Sequence, residues 1–243
     1  IYVETVMNAD DNVYESDLYQ ISEITIKTGD NTLYHTGDSK RKRLTNSKDV
    51  SNFIYTDKDT ILFASMRDPK DKERAKNGES FTSFYELHTK GGEATKAFEI
   101  PFPVSDIKFI DSNTYIVNVS YDLRYAPMLE DGKKEEVAKV KNANKDWEEL
   151  TKIPFVQNGG DYIGYTVSRL YLYTRDTNKL TAITNTYENA YILDVSKDKE
   201  KVLFATSKDA AKPSMKEGLS QVNLKDLSVE ELVKESEYSI AAA

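Results

Sequence analysis

The chain has 243 residues and a net charge of −8, with no cysteine and two histidines. Those numbers exclude a disulfide scaffold, a thiolate nucleophile and a cysteine-ligated metal centre, and the acidic balance argues against a nucleic-acid surface. With 39% hydrophobic residues, 16 Tyr and 9 Phe the chain can fill a core, and no apolar run approaches the ~18 residues a membrane span needs.

Ile1-Tyr2-Val3-Glu4-Thr5-Val6 is already strand-like, so the N-terminus reads as incomplete, and Ala241 to Ala243 read as a truncated tail. Asp17-Leu18-Tyr19-Gln20-Ile21 is the next apolar run, and Arg43-Leu44-Thr45 reads as a strand ending. Then comes a hairpin pattern: Val50 to Tyr55, the polar turn Thr56-Asp57-Lys58-Asp59, and Thr60 to Ser65. A charged loop from Asp68 to Ser80 separates it from Phe84-Tyr85-Glu86-Leu87 and the turn Lys90-Gly91-Gly92-Glu93, whose glycines suit positive φ. The hairpin pattern recurs at Val104 to Phe109 with Thr114 to Val119, and at Asn189 to Val195 with Lys201 to Thr206. Leu170-Tyr171-Leu172-Tyr173 with the turn Asp176-Thr177-Asn178-Lys179, and Leu219-Ser220-Gln221-Val222, repeat the second hairpin. Short strands joined by polar turns predict antiparallel all-β structure. Four strands at a period of about 45 residues predict β-propeller blades.

One interval is too long. The stretch between Tyr121 and Gly164 exceeds the period by roughly 40 residues and reads as an insertion (about 124–164) within the third blade, with a short helix expected at Lys145-Asp146-Trp147-Glu148-Glu149-Leu150. What remains suffices for about four blades. The expectation is a single partial propeller over 1–243, an open arc whose strand edges a neighbouring domain or a second copy of the chain would cover.

Several residues combine to resemble the N-terminal propeller of prolyl oligopeptidase-family serine peptidases, closest to the acylaminoacyl-peptidase and dipeptidyl-aminopeptidase branch. They are Lys90-Gly91-Gly92-Glu93-Ala94, the Leu44-Thr45 and Ile183-Thr184 strand endings, and the block Asp146-Trp147-Glu148-Glu149-Leu150 with Ile153-Pro154-Phe155 and Gly159-Gly160-Asp161-Tyr162-Ile163. The turns at Thr56-Asp57, Ile110-Asp111 and Ser196-Lys197-Asp198 stand where the family has Ser-Pro-Asp-Gly, without its Pro and Gly. The resemblance runs from about Val3 to Ile240. It implies a domain that stands over a catalytic α/β-hydrolase and limits which oligopeptides reach it, with that downstream domain as its partner.

The hydrolase itself is not legible in this chain. Gly78-Glu79-Ser80-Phe81-Thr82 begins like a Gly-x-Ser-x-Gly elbow but lacks the second glycine. His35 and His88, the two imidazoles available, sit in a hairpin and after a strand rather than in a triad context. No catalytic residue is therefore assigned, and no metal or cofactor is expected.

Trp147, Glu148 and Glu149 are the candidates for substrate binding, since two carboxylates can pair with a substrate ammonium and relatives use paired acids in that way. The plainer reading is a solvated helix with Trp147 packed on the propeller. Ser39-Lys40-Arg41-Lys42-Arg43 reads as an edge-strand charge run rather than a targeting or nucleic-acid patch, and Asn118-Val119-Ser120 fits the glycosylation pattern but falls in a strand. Without a secretory context the chain reads as cytoplasmic. A free-standing β-propeller acting as a binding or scaffold module is the alternative.

Overall fold

The structure is a computed structural model that describes residues 1–21, 26–29, 32–35, 41–50, 52–147, 165–208 and 216–237. Strands dominate, and nearly all lie in antiparallel meanders. The first sheet holds β1 (Tyr2–Asn8), β2 (Val13–Ile21) and, after a hairpin of β3 (Ile26–Gly29) and β4 (Thr32–His35), β5 (Arg41–Arg43), in the order β1-β2-β5. The second is β6 (Phe53–Asp57), β7 (Thr60–Ala64), β8 (Thr82–His88) and β9 (Thr95–Ile100), with helix α1 (Pro69–Lys76) between β7 and β8. The third is β10 (Val104–Phe109), β11 (Thr114–Asp122), β12 (Thr166–Thr174) and β13 (Lys179–Ala182). Between β11 and β12 stand a short 3₁₀ turn, α2 (Ala126–Glu130) and α3 (Lys134–Ala143). The fourth is β14 (Asn189–Val195), β15 (Lys201–Ser207), β16 (Glu217–Asn223) and β17 (Val229–Ser236).

Each of the last three sheets is a four-stranded antiparallel meander, the blade pattern the repeat predicts, so the fold class is all-β and propeller-like. The first sheet has three strands among the described residues. Its β2 corresponds to β12, because Leu44 N–H bonds to Leu18 O at 2.8 Å and Ile183 N–H to Leu170 O at 2.9 Å in matching positions. Among the described residues, β1, β2 and β5 thus stand in the places of β11, β12 and β13.

The expected hairpins form where the polar turns sit. Asp57 pairs with Thr60, Phe109 with Tyr115 and Val195 with Val202. Side chains replace the Pro and Gly these turns lack: Asp111 accepts the Asn113 N–H at 2.8 Å, and Asp198 accepts both the Ser196 hydroxyl at 2.6 Å and the Glu200 N–H at 3.1 Å. Gly91, Gly92 and Asn178 take positive φ in the other turns, as those residue types allow.

The chain divides into two compact units, Ile1–Lys72 with Ser83–Glu99, and Glu73–Thr82 with Ile100–Ala243. Each has a core between two sheets, and the two cores are built alike. In the first, Leu18, Val50, Ile61, Phe63, Tyr85 and Leu87 are buried together. In the second, Ile116, Leu170, Ala190, Val202, Phe204 and Val222 are. Ile61 faces Leu87 across its sheet as Val202 faces Val222. At about 1.5–3 kcal/mol per fully buried aliphatic or aromatic side chain, these clusters are the main source of stability.

A latch recurs with the cores. Thr45 Oγ1 accepts the Leu18 N–H at 2.9 Å, and Thr184 Oγ1 accepts the Leu170 N–H at 3.1 Å. Arginine covers the carbonyl of each threonine: Arg43 Nε donates to Thr45 O at 2.8 Å and Arg169 Nη2 to Thr184 O at 3.1 Å. The Leu-Thr strand endings are therefore structural closures of a sheet. In the first latch Arg43 and Thr45 also hold the buried Asp17. Arg41 pairs with Glu4 and lies 3.9 Å over the Tyr19 ring, so the arginines of the basic run are spent within their own sheet.

The helices depart from expectation. The charged loop from Asp68 contains α1, started by the Asp68 side chain accepting the Lys70 N–H at 2.9 Å, with Pro69 at the first helical position. In the insertion, the expected helix at 145–150 does not form where described. Lys145 and Asp146 lie in a turn and Trp147 follows it, while the helix is α3, at Lys134–Ala143. Val137 and Ala138 are buried there, and Glu135 and Glu136 in the first turn suit the helix dipole. Residues 148–150 lie outside the described residues.

Candidate functional site

The insertion of the third sheet builds a cavity of about 1090 Å³ within the second unit. Its floor is the end of β11 and the turn after it, where Asp122 and Arg124 stand. Its walls are Tyr125, Pro127 and Met128 from the start of α2, Val140, Lys141 and Asn144 from the end of α3, and Lys145 to Trp147 beyond it. The chain reverses between the helices at Gly132, whose φ of +74° favours glycine, and this returns Lys141 to Asp122.

Aromatic packing holds the floor in place. Phe102 packs on Tyr121 and Tyr171 with ring centroids 5.7 and 5.9 Å apart. The guanidinium of Arg169, a residue only 5% exposed, lies 4.5 Å over the Tyr121 ring. Burial pushes the Tyr171 phenol up to about 12, so it stays neutral. Tyr121 Oη donates to Ala126 O at 3.4 Å, tying the start of α2 to the sheet.

A second excursion supports the helices. Gly78, at φ +88°, fits so tightly against α3 that a Cβ there would stand 2.7 Å from Ala138 O. Beside it Lys141 Nζ donates to Ser80 Oγ at 3.2 Å. The loop carrying Gly78-Glu79-Ser80 is therefore a brace for α3, not a strand-to-helix nucleophile elbow.

The charges are unevenly matched. Asp122 accepts Arg124 Nε at 3.0 Å and Arg124 Nη2 at 2.9 Å, a two-pronged pair. Lys141 stands 4.0 Å from Asp122 and 5.2 Å from the Tyr125 ring centroid. Burial lowers its pKa, and the Asp122 carboxylate only partly restores it.

Of the residues singled out from sequence, Trp147 lines this cavity and is 59% exposed, rather than packed on a sheet. Glu148 and Glu149 lie outside the described residues, as does the Gly159-Gly160 stretch. His88 ends β8, where its Nδ1 accepts the Lys90 N–H at 3.4 Å, and His35 ends β4. Lys141, Arg124 and Asp122 were not singled out. A signal for Lys141 existed, because Val137, Ala138 and Lys141 follow helical spacing and share one face. Among the described residues no three His, Asp or Glu side chains gather as a metal site would need, and no helix is long and apolar enough to cross a membrane.

No protein-family model matches the chain, and no curated protein matches it in sequence. Solved structures do match. The acylaminoacyl peptidase of Pyrococcus horikoshii superposes with a TM-score of 0.57 at 12% identity, over 98% of this chain and 31% of that one. An acylaminoacyl peptidase in complex with Z-Gly-Gly-Phe-chloromethyl ketone gives 0.55 at 14% identity, over 98% and 31%. The chain shares its fold with part of these peptidases. It spans about a third of their length.

Proposed function

We propose that this chain is the non-catalytic propeller portion of a serine peptidase of the acylaminoacyl-peptidase type, which scaffolds a hydrolase domain and gates the peptides that reach it. The observation that carries the reading is the match of 98% of the chain to acylaminoacyl peptidases more than three times its length. The successive four-stranded meanders and the repeated threonine latches support it. So does the placement of Gly78-Glu79-Ser80 as a brace rather than an elbow. On this reading the acyl transfer belongs to a nucleophile, base and oxyanion hole carried by the hydrolase, and the propeller acts by size exclusion. Substrates are oligopeptides short enough to pass it.

The test is the parent reading frame together with its substrate range. The frame is expected to continue into a segment with a Gly-x-Ser-x-Gly, and the encoded enzyme to cleave short peptides while sparing a folded or long unfolded protein. A frame that stops near Ile240 would overturn the reading. Equal cleavage of short peptides and whole casein would overturn the gating role.

A free-standing binding module is the second reading, favoured by the cavity and its exposed tryptophan. A stable partner captured by a parent lacking any hydrolase segment would establish it.

A further inference from the structure

Nothing in the size-exclusion role calls for a 1090 Å³ cavity in the insertion, above the usual range for small-ligand sites of ~300–1,000 Å³. Its lining residues divide by chemistry. Trp147, Met128 and Pro127 offer an aromatic and apolar surface, and Trp147 is exposed where a large aromatic would ordinarily be covered. Lys141 and the Arg124–Asp122 pair supply its charge. Arg124 and Asp122 compensate each other through two hydrogen bonds, and Lys145 is balanced in formal charge by Asp146. That leaves Lys141 as the surplus cation among the described lining residues. Its side chain is 28% exposed, with one hydroxyl and a carboxylate at 4.0 Å as its polar neighbours. A half-desolvated ammonium so placed has donors to spare for an incoming anion.

We infer that this cavity binds the C-terminal residue of a peptide, its free carboxylate on Lys141 Nζ and its apolar or aromatic side chain against Trp147 and Met128. An anion with an apolar body is what these residues together select. A bare inorganic phosphate would leave the aromatic surface unused, and a cationic ligand would meet Lys141. The choice of a peptide carboxylate rests on the peptidase reading, whereas the anion contact and the aromatic contact do not. In the parent enzyme the site would hold peptides by the end opposite to an N-acyl group, away from the reacting bond.

Trp147 is the chain's single tryptophan and reports directly on occupancy. Ala-Ala-Phe with a free carboxylate is titrated into the protein while Trp147 emission is followed, with Ala-Ala-Phe-amide as the comparison. The acid is expected to shift Trp147 emission to the blue and to bind roughly ten- to a hundredfold more tightly than the amide, as a charge-assisted contact warrants. Lys141→Gln is expected to abolish that difference, and Lys141→Arg to retain most of it. Equal affinity for acid and amide in the unmodified protein would overturn the inference without any variant, and so would a Trp147 signal that neither peptide moves. Labelling of the parent's nucleophile does not depend on this cavity, so the two readings fail separately.

Discussion

Asn118 donates its side-chain amide to the backbone carbonyl of Ala190 at 2.7 Å, joining the third sheet to the fourth. The same amide group accepts the Ile192 N–H at 2.9 Å through its oxygen and donates to Ser168 Oγ at 2.9 Å. Asparagine here acts as a piece of backbone, pairing with β14 as a neighbouring strand would. At 2% exposure it is closed to the glycosylation its sequence pattern suggests. Asn118→Ala strands a buried carbonyl and a part-buried N–H at once. The expected cost is about 2–4 kcal/mol, read as a lower urea midpoint with an unchanged slope.

The threonine latches give a paired comparison. Thr184→Val keeps the shape but removes the acceptor for the Leu170 N–H, and the expected loss is about 1–2 kcal/mol. Thr184→Ser retains the oxygen and is expected to lose less. A smaller loss from Thr184→Val than from Thr184→Ser in urea unfolding would show that the methyl group, not the hydrogen bond, holds the sheet ending.

Asp17 makes the first latch sensitive to acid. Burial alone would raise its pKa, but hydrogen bonds from Arg43, Thr45 and the Lys48 N–H outweigh that and hold it below the usual carboxylate value. The unfolded chain therefore takes up the proton first as pH falls. The stabilisation is complete above about pH 5 and is lost as pH drops through the depressed native value, below about pH 4. Asp17→Asn is expected to be less stable at pH 7 and to show a shallower fall in unfolding free energy between pH 5 and pH 2.

Gly78 tests the brace beneath the cavity. Gly78→Ala places a methyl group against Ala138 O and forces a residue with a Cβ to φ +88°. Loosening of α3 is expected, seen as faster amide exchange across 134–143 and a changed Trp147 emission, with β14 to β17 unaffected. Unchanged exchange in α3 would show that the loop and helix do not depend on each other.

The sheets were legible in the sequence because their signals are local. Thr60-Ile61-Leu62-Phe63-Ala64 and Lys201-Val202-Leu203-Phe204-Ala205 carry strand patterns beside turn residues that bond to themselves. The helices were not. Helix α1, Pro-Lys-Asp-Lys-Glu-Arg-Ala-Lys, has almost no apolar face to reveal it and depends on the Asp68 cap, with Asp71 buried against Ser83 and Lys96. The cavity was harder still. Trp147 drew notice as a lone aromatic, but Asp122 and Lys141 meet only after the chain folds back through Gly132.

The measurement that bears most directly on the central claim is labelling with a fluorophosphonate, which reacts with an activated serine. The full-length parent is expected to be labelled at one serine within its hydrolase segment, and the 243-residue chain to remain unlabelled under the same conditions. Stoichiometric labelling of the isolated chain would place the nucleophile within these sheets and contradict the assignment of a non-catalytic propeller portion.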